Sequence, residues 1–341
     1  MRIALVTDAW LPQVNGVVRT WERVIAEAEA LGHTIDVISP DGFRTFPCPT
    51  YPEIRLAFRP RAGVERRLDA FGPDAIHIAT EGPLGLAGRA ICLARGWQFT
   101  TSYHTKFPEY VKARAPVPLA WSYAVVRWFH RPSSAVLVAT PTLRRELEAH
   151  GFERLGDWTR GVDLGLFRPD RKPALDLPKP VLLYVGRVAV EKNLEAFLDL
   201  ELPGTKLVVG GGPDLDKLKQ RYPKAVFTGA KFGEELAAHY TAGDVFVFPS
   251  LTDTFGLVLI EALAAGLPVA AYPVTGPIDV VGGADCAVLD ADLGQAVQRA
   301  LTIPRERCRA FAARYTWRRT VELWLDALAP VDEPIEARAA E

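Results

Sequence analysis

The sequence predicts an α/β protein made of two doubly wound domains. Three observations carry this. The chain has 341 residues, more than one hydrophobic core ordinarily organises. Short β-branched runs alternate with stretches of helical period, the pattern of βαβ units and parallel sheets. The series is interrupted once, by RGVDLGLFRPDRKPALDLPKP over 160–180, where four prolines and alternating charges mark a linker.

Taken in order, strands are expected at Ile3–Thr7, Thr34–Ile38, Ala75–Ala79, Phe99–Tyr103 and Ala135–Ala139. After the linker come Val181–Val185, Lys206–Val209, Ala225–Thr228, Val245–Phe248, Pro268–Ala271 and Ala287–Leu289. Most read as continuous apolar runs, as strands buried on both faces do. Helices of about 10–15 residues fit between them. The domains are therefore expected at 1–165 and 166–312, facing across a cleft, with a helix in 313–330 returning to the first and a frayed tail VDEPIEARAAE.

Composition narrows the class. With 49% hydrophobic and 24% charged residues, the profile is that of a soluble globular protein. No apolar run reaches the length of a membrane span. MRIALVTDAW reads as a first strand, not a secretory leader. Cys48, Cys92, Cys286 and Cys308 form no CxxC, which argues against zinc or a disulfide framework and suits a reducing cytoplasm. Residues 1–160 hold 20 Lys+Arg against 16 Asp+Glu, and residues 161–341 hold 20 against 25, so the chain is basic in front and acidic behind. No nucleic-acid partner is expected.

Parallel sheets bind ligands beyond the carboxyl ends of their strands. In the second half those positions hold Gly186 and Arg187 with Lys192 beyond, then Gly210–Gly212, then Lys231 and Phe232, then PSLTDTFGLVLIEA. Arg187 and Lys192 bring two cations to one strand end. The backbone N–H groups of Gly256 and Leu257 open a helix whose positive end faces the same way. Together they suit a diphosphate without a metal. Asp253 and Glu261 bracket the helix start, and Glu261 lies far enough along to accept from ribose hydroxyls. Each piece has a plainer reading: solvated charges, a turn, a helix cap. Their joint placement on four strand ends favours a nucleotide site. Asp214-Leu215-Asp216 and Asp290-Ala291-Asp292 stand at expected helix starts and read as capping acids, not metal ligands.

These motifs resemble those of the retaining family 4 glycosyltransferases, over nearly the whole chain. DTFGLVLIEA is similar to that family's E-x7-E motif, with Asp253 in place of the first Glu. GRVAVEKN is similar to its Arg/Lys diphosphate clamp, and VNGVVRT to its glycine loop, with Asn15 in place of one glycine beside Gly16. TDAWLPQVNGV, HIATEGPLG and SYHTKFPEY resemble the group of mannosyl-, sulfoquinovosyl- and glucosyl- or glucuronosyl-transferases, several of which act on lipids. The resemblance implies the two-domain GT-B fold and transfer of a hexose from a nucleoside-diphosphate sugar to a hydroxyl acceptor such as diacylglycerol; UDP is favoured because Lys231-Phe232 leave a backbone-lined slot next to an aromatic. It implies catalytic roles for Arg187, Lys192, His104 and Asp253. Donor contacts are implied at Gly16, Gly186, Lys231, Phe232, Phe255, Gly256, Leu257 and Glu261. His104 would point toward the donor sugar. Asp8 and Glu81 also end strands and are candidate acceptor contacts, Glu81 before Gly82-Pro83 reading equally as a helix-start acid. No cofactor or metal is expected.

Rival readings are a soluble-acceptor transferase, and a nucleotide-sugar epimerase or phosphorylase on the same fold. Others are a dinucleotide oxidoreductase, for which the G-x-G-x-x-G after the first strand is missing, and a catalytically silent sugar-nucleotide module. One further segment bears on the acceptor. Over 117–132, VPLAWSYAVVRWFHRP is helical by pattern, with Trp121, Ala124, Val125 and Trp128 on one stripe. Lys106, Lys112, Arg114, Arg127 and Arg131 accompany it against Glu109 alone. This suits an interfacial helix on an anionic membrane, and so peripheral attachment to the inner face of the cell membrane. The plainer alternative puts both tryptophans in the core.

Overall fold

The computed structural model describes residues 1–13, 15–48, 51–114, 117–251, 253 and 255–332, and within these the side chains of all but 51–53, 110, 113 and 114. The chain divides into two compact units, Met1–Thr159 with the chain from Trp317 onward, and Arg160–Thr316. The proline-rich segment after Arg160 belongs to the second.

Unit one holds β1 (Arg2–Val6), β2 (Thr34–Ile38), the antiparallel hairpin β3 (Thr45–Cys48) and β4 (Tyr51–Ala57), β5 (Ala75–Ile78), β6 (Thr100–Tyr103), β7 (Val136–Val138) and β8 (Leu155–Asp157). Its main sheet runs β2-β1-β5-β6-β7-β8, all parallel. The hairpin and β8 are additions to the expected strands. β3 and β4 carry Pro47 and Pro52, and β8 is only LGD, so neither shows the buried apolar run that marks a central strand.

Helices cover the sheet by their apolar stripes. In Gly16–Ala30 the buried residues Val18, Trp21, Val24 and Ala28 recur every three or four positions. The helix Trp317–Ala327 buries Thr320, Val321 and Trp324. Trp21 meets Trp324 at 5.4 Å and Trp158 at 5.1 Å between ring centroids, so three large aromatics weld the last helix to the first. Beyond that helix the chain stays ordered: Val331 N–H donates to Asp74 O at 2.9 Å. The rest of the expected tail, 333–341, lies outside the described residues.

Unit two holds β9 (Val181–Val185), β10 (Thr205–Val209), β11 (Val226–Gly229), β12 (Val245–Phe248), β13 (Val269–Ala271) and β14 (Ala287–Leu289), in the order β11-β10-β9-β12-β13-β14. Every ladder is parallel. β9 and β12, VLLYV and VFVF, are buried throughout, as sheets covered on both faces require. The order reverses between β9 and β12, so the crevice for a ligand opens beyond the carboxyl ends of these two strands.

Candidate active site

The loops beyond β9 and β12 are tied together at that reversal. Asn193 Nδ2 donates to Pro249 O at 3.1 Å, and Lys192 Nζ donates to Asp253 Oδ2 at 2.6 Å. Lys192 stands on the short turn Val190–Lys192, and its side chain and that of Asp253 are both mostly buried. Arg187, half-buried, accepts at its backbone O from the Tyr184 hydroxyl at 2.8 Å. The neighbouring loops lace to these: Gly186 N–H donates to Val209 O, Val188 N–H to Gly211 O, and Gly210 N–H to Gly229 O. The contact needs glycine, since a Cβ on Gly210 would lie 1.8 Å from Gly186 O. The glycine run, weak evidence by itself, is what lets the loops beyond β9 and β10 meet.

Gly256 takes φ 81°, a left-handed conformation that favours glycine, and so turns the chain into the helix Leu257–Ala264. Gly256, at the cap position of that helix, has no side chain to cap it, and the N–H groups of a helix start are suited to an anion. Phe255 is buried and packs edge-on against Tyr315 at 5.9 Å. Glu261, buried, accepts from the Tyr240 hydroxyl at 2.7 Å. Sequence reading missed Tyr240. Its helix, Gly233–Tyr240, is remote in sequence from Glu261, and only the fold joins them.

Lys231 and Phe232 lie beyond β11. Lys231 Nζ pairs with Glu235 Oε1 at 2.5 Å, one helical turn on, and the Phe232 ring is half exposed. Of the two acidic triplets, Asp292 caps its helix by accepting from Gln295 N–H at 3.1 Å. Asp214 occupies the cap position of the helix Leu215–Arg221, yet its side chain makes no capping bond. Among the described residues, no group of three or more His, Cys, Asp or Glu is placed to hold a metal ion.

In unit one the order reverses between β1 and β5, and Asp8 sits there. Expected as an acceptor contact, it is buried and its oxygens are engaged within unit one. Oδ1 accepts from Leu84 N–H at 2.9 Å, and Oδ2 from Gly85 N–H at 3.2 Å and the Thr80 hydroxyl at 2.9 Å. The helix Pro83–Arg95 begins at Gly82, which has no side chain to cap it. Asp8 caps it from the neighbouring loop, and a Cβ on Gly82 would lie 2.4 Å from Asp8 Cγ. Burial pushes the Asp8 carboxyl up, against the bonds from Leu84, Gly85 and Thr80. Glu81 is partly exposed, with Oε1 3.2 Å from His130 Nε2.

Asn15, where the family has a glycine, caps the helix Gly16–Ala30 by accepting from Val17 N–H and Val18 N–H, each at 3.0 Å. Gly16 is the first residue of that helix. His104 follows β6. Its Nε2 lies 3.0 Å from Trp21 Nε1 and 2.9 Å from Ser102 Oγ. Behind it, His77 Nε2 is 3.1 Å from Ser102 Oγ, and His77 Nδ1 is 2.8 Å from Thr100 Oγ1. Burial pushes the His77 imidazole down to about 3. Trp21 was also missed by sequence reading. Its 3–4 spacing with Val18, Val24 and Ala28 marks it as core, and its nitrogen is what reaches His104.

The helix Leu119–His130 buries Ser122, Tyr123, Val126, Phe129 and His130. Trp121, Val125 and Trp128 are 71%, 64% and 54% exposed, so the tryptophan stripe faces outward and the core alternative fails. The cations divide. Lys106 is paired with Glu146 at 2.5 Å, and Arg127 donates to His150 O at 2.7 Å. Lys112 and Arg131 are exposed. The Arg114 side chain lies outside those described. No helix among the described residues is long and apolar enough to cross a membrane.

Comparison with known proteins is consistent along the chain. The profile of Glycosyltransferase Family 4 matches residues 14–166, and that of Glycosyl transferases group 1 matches residues 179–303. A GDP-mannose-dependent alpha-mannosyltransferase of Mycobacterium tuberculosis is 33% identical over 82% of this chain and 81% of its own. An alpha-monoglucosyldiacylglycerol synthase of Streptococcus pneumoniae is 30% identical over 80% of this chain and 71% of its own. Among solved structures, sucrose-phosphate synthase of Thermosynechococcus elongatus superposes with a TM-score of 0.76 at 23% identity, covering 95% of this chain and 97% of that one.

Proposed function

The chain belongs to glycosyltransferase family 4, a hexosyltransferase that draws on a nucleotide-sugar donor, and on that footing we propose that it glycosylates a hydroxyl group of a membrane lipid without a metal ion. The observation that carries the reading is the joining of Lys192 and Asp253 beside the helix start at Gly256, where the strand order of unit two reverses. A diphosphate there would lie against the Lys192 ammonium and Arg187, with its oxygens on the first N–H groups of Leu257–Ala264. As the bond from sugar to phosphate stretches, negative charge grows on the leaving diphosphate. Cationic and N–H donors already in place stabilise that charge more than the ground state, and so lower the barrier. The acceptor hydroxyl attacks from the side the diphosphate leaves, and a phosphate oxygen takes its proton. Glu261, held by Tyr240, would accept from the ribose hydroxyls.

The mannosyltransferase relative favours GDP-mannose as the first donor to try, ahead of the uridine donor suggested by Lys231 and Phe232. The lipid acceptor is supported by the exposed tryptophan stripe and by the diacylglycerol relative. Thermal shift with GDP-mannose, UDP-glucose and ADP-glucose tests the donor assignment, because a ligand that binds only the folded state raises Tm, and at equal concentration raises it more the tighter it binds. One of the three should stabilise the protein well above the others. No shift with any of them would count against the site.

A further inference from the structure

We propose that Trp21 sets the tautomer of His104, so that the ring presents an N–H at Nδ1, and that Ser102, His77 and Thr100 complete one directional chain behind it. An indole nitrogen can only donate. Trp21 Nε1 is 3.0 Å from His104 Nε2, so Nε2 accepts and the ring proton resides on Nδ1. Ser102 Oγ is 2.9 Å from the same lone pair, so its hydroxyl donates there. The serine oxygen then accepts, and His77 Nε2–H supplies the proton across 3.1 Å. That leaves His77 Nδ1 bare to accept from the Thr100 hydroxyl at 2.8 Å. One fixed donor thus orders every hydrogen in the chain.

The strand period places the parts. Thr100 and Ser102 are two apart on β6 and share a face, and His77 on β5 pairs in register with Thr100. His77 is fully buried and stays neutral, its imidazole being pushed down to about 3 by burial. A second proton on His104 would set Nε2–H against the indole N–H. His104 therefore offers one hydrogen bond from Nδ1 and no base at that atom. Its use toward the donor sugar rests on the reading above, whereas the tautomer does not. Trp21 is a positioning residue.

Long-range proton–nitrogen spectra of the full chain, with nitrogen-15 histidine, test this directly. His104 should show a protonated Nδ1 and a bare Nε2, and His77 the reverse. Trp21→Phe keeps a ring and removes the donor, so His104 should become a tautomer mixture, with kcat down about tenfold, the worth of one hydrogen bond. Trp158→Phe is the control: that ring also packs on His104, at 5.5 Å, but its nitrogen donates to Thr320 O. It should leave the His104 spectrum unchanged. Nε2–H on wild-type His104, or an unchanged spectrum in Trp21→Phe, overturns the proposal. An altered spectrum with unchanged kcat upholds the lock and rejects His104 as a donor contact. If Trp21→Phe does not fold, Ser102→Ala decides: His104 must keep its Nδ1 proton, because Trp21 remains, and its loss overturns the proposal.

Discussion

Lys192 and Asp253 form an ion pair that bridges the loops beyond β9 and β12, the two strands between which the order of the second sheet reverses. The lysine is thereby held at the crevice before any donor arrives. The acid of the D-x7-E motif is thus placed against the clamp, and a diphosphate would compete with it for the ammonium.

Lys192→Ala should lower kcat by about 100-fold or more, as loss of one preorganised transition-state contact does. It also strands the Asp253 carboxylate, so stability should fall. Adding Asp253→Asn should restore stability in urea melts without restoring turnover, a separation that a double-mutant cycle measures. Recovery of both together would mean the lysine only holds the loops.

Glu261→Gln should weaken the nucleoside diphosphate but not its 2′,3′-dideoxy analogue. The wild type should prefer the hydroxylated ligand by about tenfold, and the variant should lose that preference. Calorimetric titration of the four combinations reads it. An undiminished preference in the variant would remove Glu261 from the ribose.

All strands of the two main sheets but β8 were legible, because runs such as IALV, VLLYV and VFVF are apolar on both faces, and the ends of the second set pointed to Lys192, Asp253 and Glu261. What the sequence could not show was partnership across long separations. Trp21 reaches His104 and Tyr240 reaches Glu261 only after the helices dock. The capping role of Asp8 was hidden for a related reason: it serves Gly82, whose missing side chain creates the need for a cap supplied from elsewhere.

The buried His77 gives unit one a pH dependence. Its imidazole is depressed to about 3 in the folded protein against about 6.5 when unfolded. A depressed group leaves stability fully present above the unfolded value. As pH falls, the unfolded chain takes up the proton first, and stability drops by about 1.4 kcal/mol per pH unit between those values. Urea melts from pH 7 to 4 should show a steeper decline for wild type than for His77→Gln. Parallel curves would contradict it.

Membrane attachment should need the outward face of Leu119–His130. Co-sedimentation with vesicles containing anionic lipid should fall with salt, weaken in Lys112→Glu/Arg131→Glu, and weaken further in Trp121→Ala/Trp128→Ala. Lys112 and Arg131 are chosen because Arg127 holds the His150 carbonyl. Equal binding to neutral and anionic vesicles, or none to either, would favour a soluble acceptor.

The most direct test of the account is transfer itself. Labelled hexose is offered as GDP-mannose or UDP-glucose to the full-length protein with lipid vesicles and excess EDTA, and the chloroform-soluble product is collected and its anomeric configuration read. The account predicts label in lipid from one of these donors, with the configuration of the donor kept, despite the chelator, and lost in Lys192→Ala. Label found only as free sugar in the aqueous phase, or lipid labelling that appears only when divalent metal is restored, would contradict it.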